Sequence, residues 1–275
     1  MLDMKKIGII GAGSMSHALI KGLINSKVNI ASEHILVTNK NKIHRLHYLK
    51  ETYGVNITGS NKKVALESDI IIIAVKPNDV KDVLNDIGSV LTQNQLLISV
   101  AAGITTEYIE KNLENRVAVI RAMPNTSCHV NESATALAEG KWCKTKHLEM
   151  ATEIFSSVGR VLKVKESAID AITGLSGSGP AYVYLLMEGL IEAGIVSGLS
   201  RKESFDLAVQ TVLGAAKMAR ETGEEPTLLR KKVTSPNGTT EAGIKVLEQK
   251  GFKESLILAV QNAANRSKEL SKMIE

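Results

Sequence analysis

Aromatic side chains and cysteines are scarce in this sequence, and both shortages narrow what the protein can be. Phe, Trp and Tyr make up 3% of the 275 residues, so the core must be built from aliphatic side chains. The two cysteines, Cys128 and Cys143, have neither the paired spacing of a metal site nor a disulfide framework. Isolated thiols of this kind are typical of a reducing compartment, and we expect a cytoplasmic protein.

Long apolar runs and a strong excess of one charge are also missing. No apolar stretch reaches the roughly 18 residues that a membrane span needs. Glycines interrupt the short apolar run that follows Met1, so we expect neither a signal peptide nor a membrane partner. The net charge of +5 comes from basic residues spread along the chain. Such spreading favours solvated faces over a nucleic-acid surface, and we expect no nucleic-acid partner.

Two kinds of periodicity divide the chain at about residue 165. Before it, short runs of Ile, Val and Leu alternate with helical patterns, which is typical of a sheet covered by helices on both faces. After it, strand patterns give way to long helices. The sequence therefore predicts an α/β domain over 1–165 and an all-helical domain over 166–275. The predicted strands are Ile7–Ile10, Ile35–Thr38, Ile70–Val75, Leu96–Val100, Val117–Arg121, Thr135–Ala138 and Val161–Val164.

The helical half has little core of its own. Its first long helix, predicted from Ala181 to Val196, is apolar nearly all round and therefore needs burial on more than one side. The next helix begins with the capping-box spacing of Ser200 and Glu203. Two more helices are predicted over 240–250 and 253–271. We expect the apolar surface to be covered by self-association, at least as a homodimer.

A glycine-rich turn follows the first predicted strand. Within Gly11-Ala12-Gly13-Ser14-Met15-Ser16, Gly11 permits a tight turn and Gly13 lets a diphosphate approach the backbone. The helix that follows supplies partial positive charge at its N-terminus. Glycine-rich turns also occur in unrelated loops, so the strand before and the amphipathic helix after give this one its meaning. Together they indicate a Rossmann-type dinucleotide-binding domain with Gly11, Gly13, Ser14 and Met15 at the cofactor.

The end of the second strand bears on which dinucleotide binds. An NAD-preferring site usually presents a carboxylate to the ribose at this point, whereas this chain has Asn39 and Lys40. Lys40, with Asn39 donating a hydrogen bond, can receive a 2′-phosphate, which favours NADPH, with NADH as the other possibility. The competing interpretation is that Lys40 and Lys42 are solvated loop charges.

Small or rigid residues follow three further strands, at the sheet edge where ligands bind in open α/β folds. These segments are Ala74-Val75-Lys76-Pro77, Ala101-Ala102-Gly103 and Met123-Pro124-Asn125. We predict cofactor contacts at Ala74, Val75, Lys76, Pro77, Ala101, Gly103, Met123, Pro124 and Asn125.

A second anion site is indicated far along the chain, in Val233-Thr234-Ser235-Pro236-Asn237-Gly238-Thr239-Thr240. Ser235, Thr239 and Thr240 offer hydroxyls, while Pro236 and Gly238 force a turn. The helix that starts here directs free backbone N–H groups at the loop, where a carboxylate would sit well. A capped loop without a ligand explains the same residues. The histidines and carboxylates show no metal-ligand spacing, so we predict no metal.

Four motifs bear on the family of this chain: 74–77, 121–125, Gly174-Leu175-Ser176-Gly177-Ser178-Gly179-Pro180-Ala181-Tyr182 and 233–240. Together they closely resemble the pyrroline-5-carboxylate reductase family, and the resemblance spans essentially the whole chain. It implies reduction of the cyclic imine 1-pyrroline-5-carboxylate to L-proline with NAD(P)H, the last step of proline synthesis. It also implies a Rossmann-type domain followed by a helical dimerisation domain, with dimers that assemble into larger rings.

The resemblance also implies roles for single residues. It assigns Asn61 to the adenosine end of the cofactor and Ser235, Gly238, Thr239 and Thr240 to the imino acid. Our hypothesis is that Ser235 and the backbone N–H groups of Gly238 and Thr239 hold the carboxylate, while the hydroxyl of Thr240, the catalytic residue, hydrogen-bonds the ring nitrogen.

The loop departs from the family at Asn237, where the family usually has a second glycine. Asparagine tolerates left-handed backbone geometry, but its side chain would narrow the pocket.

Two alternatives stay open on the sequence. A 3-hydroxyacid dehydrogenase shares the order of domains, but it typically needs a lysine base in the helical half and leaves the loop at 233–240 unexplained. A non-catalytic dinucleotide-sensing protein would keep the fold, but it has no use for a carboxylate site.

Overall fold

The computed structural model of the protein describes residues 2, 4–26 and 28–274. Its contacts form two compact units, residues 1–178 together with 262–275, and residues 179–261. We call them the sheet unit and the helical unit. Residues 166–178 and the end of the last helix thus belong with the sheet, whereas the sequence assigned everything after residue 165 to the helical domain.

An eight-stranded sheet forms the centre of the sheet unit, in the order β3-β2-β1-β4-β5-β6-β7-β8. Neighbouring strands are parallel except β6 and β7, which are antiparallel. The order reverses beside β1, and ligands of open α/β sheets bind at such a switch point. The strands are β1 (Ile7–Ile10), β2 (Ile35–Thr38), β3 (Asn56–Thr58), β4 (Ile70–Ile73), β5 (Leu96–Ser99), β6 (Ala118–Met123), β7 (Ser133–Glu139) and β8 (Gly159–Lys163).

Helices cover both faces of this sheet, as the continuous aliphatic strands predict. Side chains alternate along a strand, so Ile70 and Ile72 enter one core and Ile71 and Ile73 enter the other. The first core is closed by α1 and α6, and the second by α3 and α4. The helices of this unit are α1 (Ser14–Asn25), α2 (Ile43–Tyr53), α3 (Asn61–Glu67), α4 (Val80–Ile87), α5 (Thr106–Lys111), α6 (Thr145–Ser156) and α7 (Ile169–Ile172).

A buried arginine explains why the chain end belongs to the sheet unit. Arg121 on β6 is 3% exposed, and its guanidinium lies 3.3 Å from Glu166 Oε1 and 3.7 Å from Asp170 Oδ1. The hydroxyl of Ser267 donates to the same Asp170 oxygen at 2.7 Å. A buried charge must be paired, so these contacts tie the segment after β8 and the end of the last helix to the sheet.

The helical unit is built from long helices joined by short turns. The capping box predicted at Ser200 is present: its Oγ accepts from Glu203 N–H at 3.2 Å, and its own N–H donates to Glu203 Oε2 at 2.8 Å. The short α10, which begins with Pro226, was not predicted, because seven residues show no full apolar period. The helices are α8 (Gly179–Val196), α9 (Arg201–Thr222), α10 (Pro226–Lys232), α11 (Thr239–Gln249) and α12 (Phe252–Ile274), which runs into the sheet unit at Asn262.

The expectation about apolar stretches is wrong for one segment. The helical stretch 166–196 is long and apolar enough to cross a membrane by length and composition alone. Many of its large apolar side chains are exposed, among them Leu185 at 68%. A contiguous exposed apolar surface of this kind marks an interaction site.

Candidate active site

Glycine stands at two positions of the turn after β1, and the structural reason differs between them. Gly11 has a φ of 113°, and a Cβ built there would lie 2.4 Å from the carbonyl oxygen of Ala74. The fold itself therefore requires glycine at this position. Gly13 has an ordinary φ of −80°, and a Cβ there would meet no atom within 4 Å. The space above Gly13 is open to a ligand.

The N-terminus of α1 faces this open space with its donors available. Gly13 is the N-cap residue, no side chain caps it, and the first turn contains no acidic residue. Such an end binds anions through its N–H groups and partial positive charge. Ser16 is fully buried on the opposite face, so its small side chain lets α1 pack closely against the sheet.

A pocket of about 340 Å³ lies beside this turn. It combines the glycine turn, the end of β2, the start of α3 and the end of β4. The predicted cofactor residues that line it are Gly11, Gly13, Asn39, Lys40, Asn61, Ala74, Val75 and Lys76. The structure therefore brings together residues that are far apart in the sequence, at the switch point of the sheet. Three carboxylates that line the same pocket were not predicted from the sequence: Asp79, Asp82 and Asp86.

The remaining predicted cofactor residues do not line this pocket. Gly103 is buried, with a φ of 73°, and packs against Leu270 and Ser271 of α12. The Asn125 amide donates to Ser176 O at 2.9 Å, and its oxygen accepts from Ser127 N–H at 3.1 Å. The residues outside the pocket are Ser14, Met15, Pro77, Ala101, Gly103, Met123, Pro124 and Asn125, and their cofactor contacts stay predictions.

The side chain of Asn39 has a fixed orientation. Its Oδ1 accepts hydrogen bonds from the backbone N–H groups of Asn41 at 3.0 Å and Lys42 at 2.9 Å. This Asx turn occupies the acceptor end and leaves the amide nitrogen to donate. The geometry agrees with the donor role predicted for Asn39.

Two side chains of α1 contact polar side chains of neighbouring segments. The Ser14 hydroxyl lies 2.6 Å from Nε2 of His129, and His17 Nε2 lies 2.7 Å from the Tyr53 hydroxyl. Burial lowers the pKa of His17, and the positive charge of Arg45 adds to the effect. The hydrogen bond to Tyr53 gives His17 a structural role.

The loop Val233–Thr240 forms a turn with an unusual backbone at Asn237. Asn237 has a φ of 59°, in the left-handed region expected for it, and its N–H donates to Glu241 Oε2 at 2.7 Å. The Gly238 N–H donates to Ser235 O at 3.0 Å. That N–H therefore closes the turn, and the role predicted for it at the substrate carboxylate stays a prediction.

The other predicted groups of this loop are accessible. Ser235, Thr239 and Thr240 are exposed, and within the described part of the chain no hydrogen bond occupies their hydroxyls. Gly238 is the N-cap of α11, and no side chain caps that helix. The first N–H groups of α11, from Thr239 onwards, therefore have no partner within the helix.

A larger depression of about 690 Å³ lies beside the same loop in the helical unit. Of the predicted substrate residues, Gly238 lines it, whereas Ser235, Thr239 and Thr240 do not. Its wall mixes basic and acidic side chains, and Arg230 already pairs with Glu248 at 2.8 Å. The hydroxyls are thus outside this depression, and we do not assign the carboxylate site to it.

Comparison with known proteins identifies the family. Residues 166–270 match the model of the pyrroline-5-carboxylate reductase dimerisation domain, and residues 6–103 match that of the NADP oxidoreductases described as coenzyme F420-dependent. The chain is 42% identical over 275 residues to pyrroline-5-carboxylate reductase 1 of Bacillus subtilis (strain 168), which covers 100% of this chain and 92% of the relative. The chain belongs to the pyrroline-5-carboxylate reductase family.

Solved structures of the family agree in fold. A pyrroline-5-carboxylate reductase from Coxiella burnetii superposes with a TM-score of 0.90 at 42% identity, covering 98% of this chain and 99% of the other. The Plasmodium falciparum pyrroline carboxylate reductase with NADP bound gives 0.87 at 33% identity, with the same coverage of 98% and 99%.

Family membership confirms most of the predictions made from the sequence. The α/β domain followed by a helical dimerisation domain, the oxidoreductase activity that reduces 1-pyrroline-5-carboxylate to proline, and the binding of NADP are all confirmed. The reductase is thereby favoured over a 3-hydroxyacid dehydrogenase and over a non-catalytic protein. The match at 166–270 also supports a homodimer, and the exposed apolar side chains of α8 lie within the matched residues.

Proposed function

We propose that the loop Val233–Thr240 is the site where the reductase holds its imine substrate. The observation that carries this proposal is the pairing of accessible hydroxyls with an uncapped helix start at Gly238. The last turn of α10, just before the loop, contains Arg230, Lys231 and Lys232. Arg230 pairs with Glu248 and Lys232 with Glu224, so Lys231 is the basic residue of this turn without an ion pair among the described residues. The charge of Lys231 favours an anion near the loop.

In this proposal the substrate carboxylate is bound by Ser235 and the start of α11. The Ser235 hydroxyl donates one hydrogen bond, and the N–H groups of Thr239 and Thr240 donate others. The N–H of Gly238 instead keeps the turn closed through Ser235 O. The turn is further supported by the Glu241 carboxylate, which accepts from Asn237 N–H. Glycine and the left-handed asparagine therefore shape the loop, while the hydroxyl residues bind.

The Thr240 hydroxyl is assigned to the ring nitrogen. Reduction adds a hydride to the carbon of the C=N bond, its π electrons move to nitrogen, and nitrogen ends with one proton. The nicotinamide cofactor supplies the hydride when bound. Because a threonine hydroxyl is a weak acid, Thr240 serves mainly to orient the imine, and the proton comes from water or from an imine that is already protonated.

Substitution of Thr240 tests this role. We expect Thr240→Val, which keeps the shape and removes the hydroxyl, to lower kcat by about 10- to 100-fold, the cost of one hydrogen bond in a reacting complex. The KM for NADPH should change little, because the cofactor residues belong to another part of the chain. The measurement is NADPH oxidation followed by absorbance, with proline quantified in parallel.

Thr240→Ser is the matched control, since it retains the hydroxyl at the same position. It should keep most of the wild-type kcat. If Thr240→Val turned over as fast as wild type, the assignment to the ring nitrogen would be wrong.

On the cofactor side, we propose that the diphosphate lies on Gly13 and the start of α1, with the adenosine towards Asn61. Lys40 and the amide nitrogen of Asn39 then receive the 2′-phosphate. The open space above Gly13 and the fixed orientation of Asn39 support this arrangement.

We also propose a cytoplasmic location and assembly of dimers into larger rings. Both cysteines are free, and burial raises the pKa of Cys143 to about 11 and also raises that of Cys128. Thiols held in the protonated form are inert, which suits a reducing compartment.

A further inference from the structure

An acidic face lines the cofactor pocket beside the residues proposed to bind the adenosine and its 2′-phosphate. Asp79 ends a short helical turn, and Asp82 and Asp86 follow on α4, so the three lie on one side at helical spacing. All three line the pocket of about 340 Å³. A wall that meets a doubly charged phosphate is usually basic, so these carboxylates need an explanation.

Two of the carboxylates contact donors that the cofactor would use. Asp82 Oδ2 lies 3.9 Å from Lys40 Nζ, and Asp86 Oδ2 accepts from the Asn61 amide at 2.9 Å. The side chains of Lys40 and Asp82 are both largely exposed, so this ion pair is open to water and to ligands. In the free enzyme, Lys40 therefore already has an anionic neighbour.

Binding of NADPH changes the surroundings of Lys40 in a way that binding of NADH does not. A phosphate monoester carries roughly −1.5 to −2 charges near neutral pH. To reach Lys40, the 2′-phosphate must compete with Asp82 for the ammonium group and approach a like charge. NADH has no phosphate at this position, so neither cost applies to it.

We propose that Asp82 is a specificity-determining residue that weakens the preference for NADPH by competing with the 2′-phosphate for Lys40. The inference rests on the proposed role of Lys40. Asp86 has a different effect, because its partner Asn61 serves the adenosine that both cofactors share. Its removal should affect NADPH and NADH alike.

The test compares Asp82→Asn with Asp79→Asn. Both variants remove one negative charge from the same wall, but no ion pair joins Asp79 to a cation among the described residues. KM values for NADPH and NADH are measured at low ionic strength. We expect Asp82→Asn to lower the KM for NADPH by about two- to fivefold, the range of an exposed ion pair, and to leave that for NADH unchanged. Asp79→Asn should lower it less, and salt should shrink the difference.

Equal shifts for NADPH and NADH, or a shift in Asp82→Asn no larger than in Asp79→Asn, would overturn the proposal. Equal shifts would indicate that the carboxylates act on both cofactors through their general electrostatic field. A shift no larger than that of Asp79→Asn would indicate that the ion pair between Asp82 and Lys40 has no specific effect. A KM for NADPH that rises in Asp82→Asn would overturn it as well.

A double-mutant cycle with Lys40→Ala separates this inference from the proposal on which it rests. In the Lys40→Ala background, Asp82→Asn should no longer improve NADPH binding, because the ammonium group for which Asp82 and the 2′-phosphate compete is absent. If Lys40→Ala alone leaves the KM for NADPH unchanged, the role of Lys40 fails, and the inference fails with it. If Lys40→Ala weakens NADPH binding as expected but Asp82→Asn is silent, only the role of Asp82 is refuted.

Discussion

At the scale of single residues, neighbouring positions of one motif can serve the fold and the ligand separately. Gly11 and Gly13 belong to one motif. The structure shows that Gly11 is confined by the Ala74 carbonyl and a positive φ, whereas Gly13 has an ordinary backbone and open space. Two glycines of one motif should therefore respond differently to the same substitution.

We expect Gly11→Ala to destabilise the protein by about 1–3 kcal/mol or more, because alanine is strained at this φ and its Cβ meets the Ala74 oxygen. Gly13→Ala should fold, with the free energy of unfolding within about 1 kcal/mol of wild type, the range of a changed N-cap. Its Cβ would occupy the space proposed for the diphosphate, so the Kd for NADPH should rise about tenfold or more. Urea denaturation and NADPH titration measure the two effects. Equal losses of stability in both variants, or unchanged NADPH binding in Gly13→Ala, would contradict this prediction.

Single residues also mark the limit of what the sequence could predict. The left-handed Asn237 was foreseen, since asparagine is one of the few residues that adopt this backbone. The partners of Lys40 and Asn61 were not, because α4 reaches the pocket only through the order of the strands. The bond from Gly238 N–H to Ser235 O was missed for a similar reason, as turn type decides which N–H is occupied.

At the scale of elements, strands with a strong local sequence pattern were predicted well, and those with a weak pattern were not. The aliphatic runs gave β1 and β2 with the observed bounds, Ile7–Ile10 and Ile35–Thr38. The predicted strand at Ile70–Val75 ends earlier, at Ile73, because the chain turns away beside the glycine loop. The short β3, Asn56–Thr58, was missed because an exposed edge strand lacks the aliphatic pattern of a buried one.

The start of α6 supports a prediction about pH. His147 is 3% exposed, and its Nδ1 accepts a hydrogen bond from the backbone N–H of Lys144 at 3.0 Å. Burial, and then the charges of Lys146 and Lys144, lower the pKa of His147 below its usual 6.5. Protonation would place a hydrogen on the accepting nitrogen and break this contact. The contribution of His147 to stability is therefore fully present above pH 6.5 and is lost as the pH falls through the lowered pKa of the folded state.

We expect His147→Gln to make stability less dependent on pH between 7.5 and 5. Glutamine at this position of a helix can still accept from the preceding backbone N–H but does not titrate. Urea midpoints measured across this range should fall less steeply with acid in the variant than in wild type. His47→Gln, at an exposed site on α2, is the control and should keep the wild-type slope. If the two variants gave the same slope, His147 would not be the source of the effect.

At the scale of the whole molecule, the two units differ in how they bury their apolar side chains. The sheet unit buries its own aliphatic residues on both faces of the sheet and closes around Arg121. The helical unit leaves large apolar side chains of α8 exposed, and its region matches the dimerisation domain of the family. The need for a partner could be predicted from the all-round apolar pattern of one helix. The particular surface could not, because it depends on which side of α8 packs on α9.

A charge placed on this surface should separate the subunits. Leu185 on α8 is 68% exposed in the single chain, and we expect Leu185→Asp to bury an unpaired carboxylate in the dimer at a cost of several kcal/mol. Light scattering after size exclusion at micromolar concentration should then give the mass of one chain for the variant and a multiple of it for wild type.

Leu66→Asp is the matched control, since Leu66 is a similarly exposed leucine, at 65%, on α3 of the sheet unit. It should leave the assembly intact, because single exposed leucines are common on protein surfaces. A dimeric Leu185→Asp variant would show that the exposed side of α8 is not the interface, and dissociation of both variants would show that association is not carried by α8 alone.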